Sequence, residues 1–409
     1  MKIIHTSDWH LGKSLEGFSR MEEQEKFLDD FVLMVEEKEA DLVIIAGDIF
    51  DNGNPPAKAE FLFYKALKEI SSNGKRAILV IAGNHDNPDR LAAANPIAYQ
   101  QGIIILGTPK SVAVQGNYGN FEVVNSGEGF LEMDIHGEKA MFVTVAYPSE
   151  KRLNEIFNED NNEEDRITSY SDRIGDLFSS LNKNFRKDTI NIAVSHVFIA
   201  GGETTDSERP IELGGTLAVS GAVLPKDAQY IALGHLHRPQ KVNGTDLVAY
   251  YSGSPLQYSK SEIGYSKCCY LVEVSAESKA TVENIYFKNY KPIEVWKCNG
   301  VYEAIEKCKE NSLRDVWVYL EIMTDTFISL EDVKAIRDSK KDIIQIKPII
   351  NGVGNEETCV DNIKERTMEE LFFDFYVSQR QVKPSEEIME LFLSIAREEE
   401  EDETKETKN

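Results

Sequence analysis

The sequence lacks any apolar stretch that approaches the ~20 residues needed to cross a lipid bilayer. Its first residues, Met1 to Thr6, also lack the apolar core and small-residue cleavage site of a secretory signal peptide. They have instead the apolar pattern of a first β-strand. We therefore expect a protein that works in the cytoplasm and has no contact with a membrane.

Cysteine is scarce, with five residues in the chain, and none has the Cys-x-x-Cys spacing of a structural zinc site. An odd number of cysteines also argues against a disulfide framework. We expect the thiols to be reduced, as they are in the cytoplasm, and to take no part in the chemistry.

Positive charge is in short supply. The 45 Lys and Arg residues are outnumbered by 70 Asp and Glu residues, which gives a formal net charge of −25. Lys and Arg contacts to phosphate supply most non-specific affinity for nucleic acid. The excess of acidic residues therefore excludes a protein that binds nucleic acid through its overall positive charge. Two interpretations remain: simple solubility, or a nucleic-acid contact that is local, metal-assisted or shared with a partner.

Short apolar runs rich in Ile, Val, Leu and Ala alternate with helical patterns over residues 1–288. The runs lie at residues 2–6, 42–46, 78–82, 190–195 and 230–233. Uninterrupted apolar runs of this length are typical of strands buried on both faces. Together with alternating strands toward Tyr286, they predict an α/β sandwich of packed sheets with helices outside.

The pattern changes near Lys291. Residues 289–353 alternate strands and helices and predict a small α+β domain. Residues 354–399 contain a polar linker and two amphipathic helices, which begin at a capping box at residues 367–370 and at Pro384. Their apolar stripes serve either packing on the protein's own core or docking of a partner. The acidic tail, residues 400–409, is expected to be disordered.

Side chains that bind metals follow each of the five apolar runs. The set is Asp8-Trp9-His10, Gly47-Asp48, Gly83-Asn84-His85-Asp86, His196 and Gly234-His235-Leu236-His237. Each piece alone is weak, because a single Asp or Asn after a strand is more often a turn or cap residue. Together they predict a metal centre, because α/β folds bind ligands at the carboxyl ends of their strands.

The types of side chain indicate the metal and the chemistry. Carboxylate, amide and imidazole ligands together suit Mn²⁺, with Fe²⁺ or Zn²⁺ as alternatives, and suit Mg²⁺ less well. Two such ions ~3.5–4 Å apart hydrolyse phosphate esters by clamping the attacking and leaving oxygens. The motifs therefore predict a phosphoesterase with two divalent ions.

This series of motifs resembles that of the calcineurin-like metallophosphoesterase superfamily. Longer segments, at residues 5–12, 46–51, 234–240 and 251–257, are similar to those of bacterial nuclease subunits that act with an SMC-like ATPase. The resemblance covers the first ~290 residues by motif, and the rest by the order and size of its elements. It implies a four-layer sandwich, two packed β-sheets flanked by helices, with the small domain as a cap and C-terminal helices.

By this resemblance, seven side chains hold two metal ions. Asp8, His10 and His237 would hold one ion, Asn84, His196 and His235 would hold the other, and Asp48 would bridge both. His85 would be catalytic, stabilising the scissile phosphate or protonating the leaving oxygen. Asp86 either orients His85 or caps the turn. Some relatives carry a second histidine at the position of Asp51, which is therefore given no catalytic role here.

The resemblance further implies a Mn²⁺-dependent DNA nuclease of repair and recombination, with 3′-to-5′ exonuclease activity on duplex ends and endonuclease activity that includes hairpins. Residues 360–399 would bind an SMC-like coiled-coil ATPase, and residues 289–353 would direct DNA. The chain would form a homodimer through residues 57–72 or 89–99. Two other interpretations stay open: a phosphoesterase for small nucleotides or phosphoproteins, and an inactive scaffold, which would be expected to have lost ligands.

Overall fold

The computed structural model describes residues 1–153, 163–208, 218–325 and 327–350, with isolated positions between 369 and 393. The chain divides into two compact units, Met1–Tyr290 and Lys291–Asn409. This boundary lies close to the predicted one, and the role of residues 289–353 as a cap stays a prediction. No helix in the described part of the chain is long and apolar enough to span a membrane.

The described secondary structure alternates between strands and helices. Its strands are, in chain order, β1 (Lys2–Thr6), β2 (Ser14–Leu15), β3 (Phe18–Ser19), β4 (Leu42–Ala46), β5 (Ala77–Ile81), β6 (Ile103–Leu106), β7 (Gly116–Asn117), β8 (Phe121–Gly127), β9 (Phe130–Ile135), β10 (Glu138–Val145), β11 (Ile190–His196), β12 (Tyr230–Gly234), β13 (Gln240–Lys241), β14 (Ala249–Tyr251), β15 (Cys268–Glu273), β16 (Thr281–Tyr286), β17 (Ile293–Asn299), β18 (Trp317–Thr324) and β19 (Ile343–Ile350). Its helices are α1 (Met21–Glu37), α2 (Ala57–Ser71), α3 (Pro88–Ala92), α4 (Asn95–Ala98), α5 (Glu150–Leu153), α6 (Glu163–Asn182), α7 (Val301–Glu310) and α8 (Leu330–Ser339).

Two large sheets build the first unit. The first has the strand order β16-β15-β1-β4-β5-β6, and the second has the order β13-β14-β12-β11-β10-β9-β8-β7. Strands β1, β4, β5 and β6 run parallel, as do β10, β11, β12 and β14. Strands β4, β5, β11 and β12 are buried at every position, which explains their uninterrupted apolar sequences.

Three apolar cores separate the layers of this unit. The central core contains Ile44 of β4 and Ile192 of β11, and so lies between the two sheets. One outer core contains Val43 of β4 with Phe31 of α1, and the other packs Phe178 of α6 on the second sheet. The neighbours Val43 and Ile44 thus enter opposite cores, as the two-residue period of a strand requires. This arrangement confirms the predicted four-layer sandwich.

Trp9 anchors the loop that follows β1. Its side chain is fully buried, and its ring makes edge-to-face contacts with Phe27, Phe31 and Phe63. The indole Nε1–H donates a hydrogen bond of 2.9 Å to Thr6 Oγ1, so the ring is fixed at its polar edge as well. Because Trp9 stands between Asp8 and His10, its burial fixes the backbone from which both side chains project.

The second unit contains a parallel sheet of order β17-β18-β19, with α7 and α8 as the connecting helices. Its core contains Trp296, Leu320 and Ile336. Strands and helices alternate and all three strands run parallel, so the arrangement is α/β rather than the α+β arrangement expected from the sequence. The physical reason is that a helix between two strands returns the chain to the same end of the sheet, which makes the strands parallel.

The predicted linker and paired helices, residues 354–399, lie almost wholly outside the described residues, and the predicted tail, residues 400–409, lies outside them entirely. Among the positions that are described, the ring of Phe372 stacks on that of Phe392 with 3.8 Å between the centroids. These two aromatic residues come from the two predicted apolar stripes.

Candidate metal centre

The predicted metal-binding residues meet at one edge of the sandwich. Asp8 and His10 follow β1, Asp48 follows β4, and Asn84 and His85 follow β5, all in the first sheet. The second sheet supplies His196, the last residue of β11, together with His235 and His237 after β12. The structure therefore brings together all eight residues that the sequence predicts, from the carboxyl ends of five strands.

Asp48 lies at the centre of this group. Its Oδ2 is 3.6 Å from His10 Nε2, 3.5 Å from His196 Nε2 and 3.9 Å from His85 Nε2. Its other oxygen, Oδ1, accepts a hydrogen bond of 2.9 Å from the backbone N–H of His85. One carboxylate thus faces imidazoles from both sheets, as a bridging ligand would.

One side of the centre contains Asp8, His10 and His237. The Nε2 atoms of His10 and His237 face each other at 2.9 Å. Each of the three residues offers a ligand atom, and these atoms all lie within 4.8 Å of one another. All three side chains are buried. This cluster has the composition and spacing of half of a two-metal centre.

The other side contains Asn84, His196 and His235. Asn84 Oδ1 lies 3.0 Å from His196 Nε2 and 3.0 Å from His235 Nδ1. Ligand atoms of Asp8, Asp48 and His196 also lie within 4.8 Å of one another. The amide oxygen and the imidazole nitrogens therefore converge beside the Asp48 carboxylate.

Several of these residues have a backbone conformation that side chains other than glycine rarely adopt. The φ angles are 53° for Asp8, 45° for His10, 50° for Asp48 and 108° for His235. Such conformations cost on the order of 1–3 kcal/mol each and persist where the surrounding structure holds them. Part of the backbone strain of the described residues thus lies in the loops that aim these side chains.

Gly234 allows the two sheets to approach each other beside the centre. A Cβ atom at this position would lie 2.0 Å from the carbonyl oxygen of Ala46 and 2.8 Å from His196 Nδ1. Because neither neighbour is the free end of a flexible chain, any larger residue here would push the sheets apart. His196 Nδ1 also contacts the Ala46 oxygen at 2.8 Å, which fixes the imidazole between the sheets.

Burial controls the charge state of the imidazoles. It lowers the pKa of His235 to about 3 and holds the pKa values of His10 and His237 well below the ordinary value. These three imidazoles are therefore neutral at pH 7. Because a neutral imidazole has a free lone pair on one nitrogen, each can bind a cation without losing a proton.

The carboxylates and His196 respond differently. Burial raises the pKa of Asp8, with a smaller contribution from the charge of Asp48. Burial would lower the pKa of His196, but the negative charges of Asp48 and then Asp8 outweigh it and raise the value to about 9. Burial would raise the pKa of Asp48, but the imidazoles of His196 and His85 hold it well below the usual range. Without metal, the buried group formed by Asp8, Asp48 and His196 thus retains protons at pH 7.

Because these protons compete with a cation for the same atoms, we expect the affinity for a divalent cation to increase as the pH rises. A cation held by Asp8 and His196 would have to displace the protons that these coupled groups retain. Between about pH 6 and 8 we expect the affinity for Mn²⁺ to rise about tenfold per pH unit for each proton displaced. Isothermal titration calorimetry in buffers of different ionisation enthalpy measures both the affinity and the number of protons released on binding. An affinity independent of pH, with no proton release, would contradict this prediction.

The contacts around His85 decide between the two roles predicted for Asp86. Asp86 accepts hydrogen bonds from the backbone N–H groups of Ile49, Phe50 and Gly83, at 2.8–3.1 Å, and so braces two loops. His85 Nδ1 instead contacts the backbone oxygen of Asp51 at 2.6 Å. The turn-bracing role therefore describes Asp86, and the main chain of Asp51 orients the imidazole.

Arg152 is a part of the site that sequence reasoning missed. Its guanidinium donates to the backbone oxygens of Gly83 at 2.8 Å and Asp86 at 2.6 Å. It also lies over the ring of Tyr147, 5.4 Å from the centroid. Arg152 thus clamps the loop that carries Asn84 and His85. It belongs to no motif, and no sequence signal could have indicated this contact.

The side chains present fit divalent cations. The predicted ligands are two carboxylates, one amide and four imidazoles, a mixture of hard and borderline donors typical of divalent metal ions. His10 Nδ1 is buried and has no hydrogen-bond partner among the described residues, while Nε2 faces a second imidazole. Two imidazole nitrogens that face each other inside a protein share either a proton or a cation.

Comparisons with known proteins agree with this fold. A model of the calcineurin-like phosphoesterase family matches residues 1–239. The chain belongs to the calcineurin-like phosphoesterase family. It is 40% identical over 407 residues to SbcD, the D component of the nuclease SbcCD of Bacillus subtilis (strain 168), covering 99% of this chain and 100% of that protein. The resemblance to SbcD-type nuclease subunits is thereby confirmed, and the chain is a divalent-metal phosphoesterase.

Solved structures give more distant matches. TT1561 from Thermus thermophilus, known from a crystal structure, is 14% identical in sequence, with a TM-score of 0.36. The match covers 69% of this chain and 98% of the TT1561 chain. A dimetal phosphatase from Danio rerio is 10% identical, with a TM-score of 0.35, and covers 69% of this chain and 95% of its own. Scores this low carry no argument about function.

Proposed function

We propose that this protein is a metal-dependent DNA nuclease, the counterpart of SbcD in an SbcCD-type complex of DNA repair and recombination. The observation that carries the proposal is the 40% identity to SbcD of Bacillus subtilis, which extends over 99% of the chain and so beyond the phosphoesterase domain. The clustered carboxylates and imidazoles supply the means to hydrolyse a phosphodiester.

We assign seven side chains as ligands of two divalent ions. Asp8, His10 and His237 would hold one ion, Asn84, His196 and His235 the other, and Asp48 would bridge them. The convergence of these side chains on Asp48 supports the assignment. When bound, the ions supply a nucleophile at neutral pH and neutralise the charge that builds on the phosphate oxygens. Mn²⁺ suits the mixture of oxygen and nitrogen ligands best.

His85 is proposed to hold and transfer a proton. Its Nδ1 faces a carbonyl oxygen, which only accepts hydrogen bonds, so Nδ1 carries a hydrogen. The lone pair of the neutral ring therefore lies on Nε2, and this atom faces Asp48 at 3.9 Å. From this position the protonated ring would stabilise the scissile phosphate or give its Nε2 proton to the leaving oxygen.

The acidic charge supports a division of labour with a partner. At −25 the chain lacks the general positive charge that holds DNA phosphates, so a second protein would supply part of the grip. We propose that residues 360–399 bind an SMC-like coiled-coil ATPase of the SbcC type. Residues 289–353 would cap the site and direct DNA, and two copies would form a homodimer. The four described cysteines are free and buried, which agrees with a reducing compartment such as the cytoplasm.

The nuclease proposal is tested with purified protein, Mn²⁺ and DNA. We expect degradation of linear duplex DNA from its 3′ ends and endonuclease cutting of hairpins, each lost on chelation of the metal. End-labelled substrates separate the two polarities. Cleavage restricted to nitrophenyl esters, cyclic nucleotides or phosphoproteins would favour the alternative phosphoesterase function and reject the nuclease.

The partner proposal has its own test. Affinity purification of the full chain from its source cells should recover a large coiled-coil ATPase in stoichiometric amount. A variant that lacks residues 360–409 should lose this partner but keep Mn²⁺-dependent ester hydrolysis, because the predicted ligands all lie before residue 240. Retention of the ATPase by the shortened chain would place the docking surface elsewhere.

A further inference from the structure

A polar network, half-buried at Ser207 and buried at Glu262 and Lys267, lies on the side of His237 that does not face His10. While Nε2 of His237 faces His10, its Nδ1 contacts Ser207 Oγ at 2.5 Å. Ser207 Oγ in turn lies 2.6 Å from Glu262 Oε1. Glu262 forms an ion pair with Lys267, and the two residues are 0% and 6% exposed. Neither charged residue belongs to a motif of the metal centre.

The hydrogens in this network have one consistent arrangement. An ionised carboxylate only accepts hydrogen bonds, so the single hydroxyl hydrogen of Ser207 points to Glu262. Ser207 Oγ must then accept the hydrogen bond that it shares with His237 Nδ1. The remaining neighbour, Thr205 Oγ1 at 2.9 Å, directs its own hydrogen to Glu208 and so does not change this order.

The neutral ring of His237 carries its hydrogen on only one of its two nitrogens. If Nδ1 carries the hydrogen, Nε2 has the free lone pair. Nε2 is the atom that faces His10 and the metal centre. The network therefore selects the one neutral form of His237 that can bind a metal through Nε2.

The same network also holds the backbone of His237. Its N–H donates to Glu208 Oε1 at 2.7 Å, and its carbonyl oxygen accepts a bond of 2.8 Å from Lys267 Nζ. Lys267 Nζ is itself fixed by Ser254 Oγ at 2.8 Å and by Glu262. Each polar atom of His237 thus has a partner, and Lys267 connects the backbone contact to the side-chain contact.

We propose that Ser207, oriented by the buried Glu262–Lys267 pair, is a positioning residue that keeps His237 in the Nδ1–H form and so presents Nε2 to a divalent cation. This inference rests on the proposed role of His237 as a ligand. A buried ion pair is by itself weak support for stability, because desolvation offsets its attraction. The bridge through Ser207 gives this pair a function at the metal centre.

The test is metal binding by the full chain with Ser207→Ala. Removal of an orienting partner typically weakens metal binding about 10–100-fold. We expect a loss of that size for one of two Mn²⁺ ions, measured by calorimetry, with the second ion affected less. The matched control is Ser259→Ala, since Ser259 Oγ also contacts Glu262 Oε1, at 3.2 Å, but has Ser261 Oγ as its other neighbour, at 2.7 Å. The control should bind both ions as the wild type does.

Nitrogen-15 NMR of histidine-labelled protein reads the hydrogen position directly. In the metal-free wild type we expect His237 in the Nδ1–H form, and in metal-free Ser207→Ala we expect a mixture of both neutral forms. Ser207→Thr, which restores a hydroxyl, should restore both the single form and the affinity. Equal Mn²⁺ binding by wild type and Ser207→Ala overturns the inference. A wild type that binds no divalent ion instead overturns the proposed function, and the inference with it.

Discussion

Replacement of His85 by glutamine is expected to lower the rate of DNA cleavage by about 10²–10⁴-fold, the usual contribution of a general acid or base. Glutamine has a similar length and an amide that could donate to the Asp51 oxygen, but it has no ring nitrogen that can hold and transfer a proton. Because His85 is not among the proposed ligands, the variant should still bind two Mn²⁺ ions. Single-turnover cleavage of end-labelled duplex DNA measures the rate, and elemental analysis measures the bound metal.

The matched control is the same substitution at an exposed histidine. His136 lies in the turn between β9 and β10, and His136→Gln should leave both the rate and the metal content unchanged. Loss of an ion from His85→Gln would make His85 a ligand and remove the proposed proton transfer. A rate close to that of the wild type would exclude any catalytic role for this imidazole.

Substitution of Gly234 by alanine is expected to damage the metal centre and the stability of the first unit together. The added methyl group would meet the Ala46 oxygen at 2.0 Å and His196 Nδ1 at 2.8 Å, so backbone atoms must move. Overpacking of this kind costs about 1–3 kcal/mol of unfolding free energy. Because the displaced atoms hold His196, we also expect Mn²⁺ binding to fall. Urea denaturation without metal and Mn²⁺ titration measure the two effects.

A second glycine provides the control for this experiment. A Cβ atom on Gly221 would have its nearest neighbour at 3.5 Å, an ordinary contact, and neither glycine has a left-handed φ. Gly221→Ala should therefore leave stability and metal binding unchanged. If Gly234→Ala binds Mn²⁺ with wild-type affinity, the close approach of the sheets at Ala46 is not needed for the site.

The architecture of the first unit follows from features that a sequence shows directly. Strands β4 and β12 are uninterrupted apolar runs, and they are buried at every position in two packed sheets. In the second unit, strands and helices alternate along the sequence, and this pattern predicts an α+β domain. The structure instead has a fully parallel sheet. The pattern specifies which segments are strands, but strand direction depends on how each connecting helix packs.

The sequence also predicts the residues of the metal centre, because Asp, Asn and His at the ends of buried strands form a recognisable series. It does not predict the contacts that support those residues. Asp86 braces backbone N–H groups rather than His85, and neither Arg152, in helix α5, nor Glu262 belongs to a motif. Such contacts depend on three-dimensional proximity between segments far apart in the chain. The left-handed conformation of Asp8 and His10 likewise results from tertiary constraint, since local preference opposes it.

The placement of the proposed ligands has a mechanical consequence. One ion would bind Asp8, which follows a strand of the first sheet, and His237, which follows a strand of the second. The other would bind Asn84 after the first sheet and His196 at the end of a strand of the second, so each ion would be bonded to both halves of the sandwich. A bound ion would then act as a cross-link at the open edge of the interface between the sheets. At a metal concentration of about 100 times Kd, each ion would add about 2.7 kcal/mol to stability. Depletion of metal would therefore lower the stability of the first unit as well as abolish its activity. Proteases would then degrade the metal-free form faster than the metal-bound form.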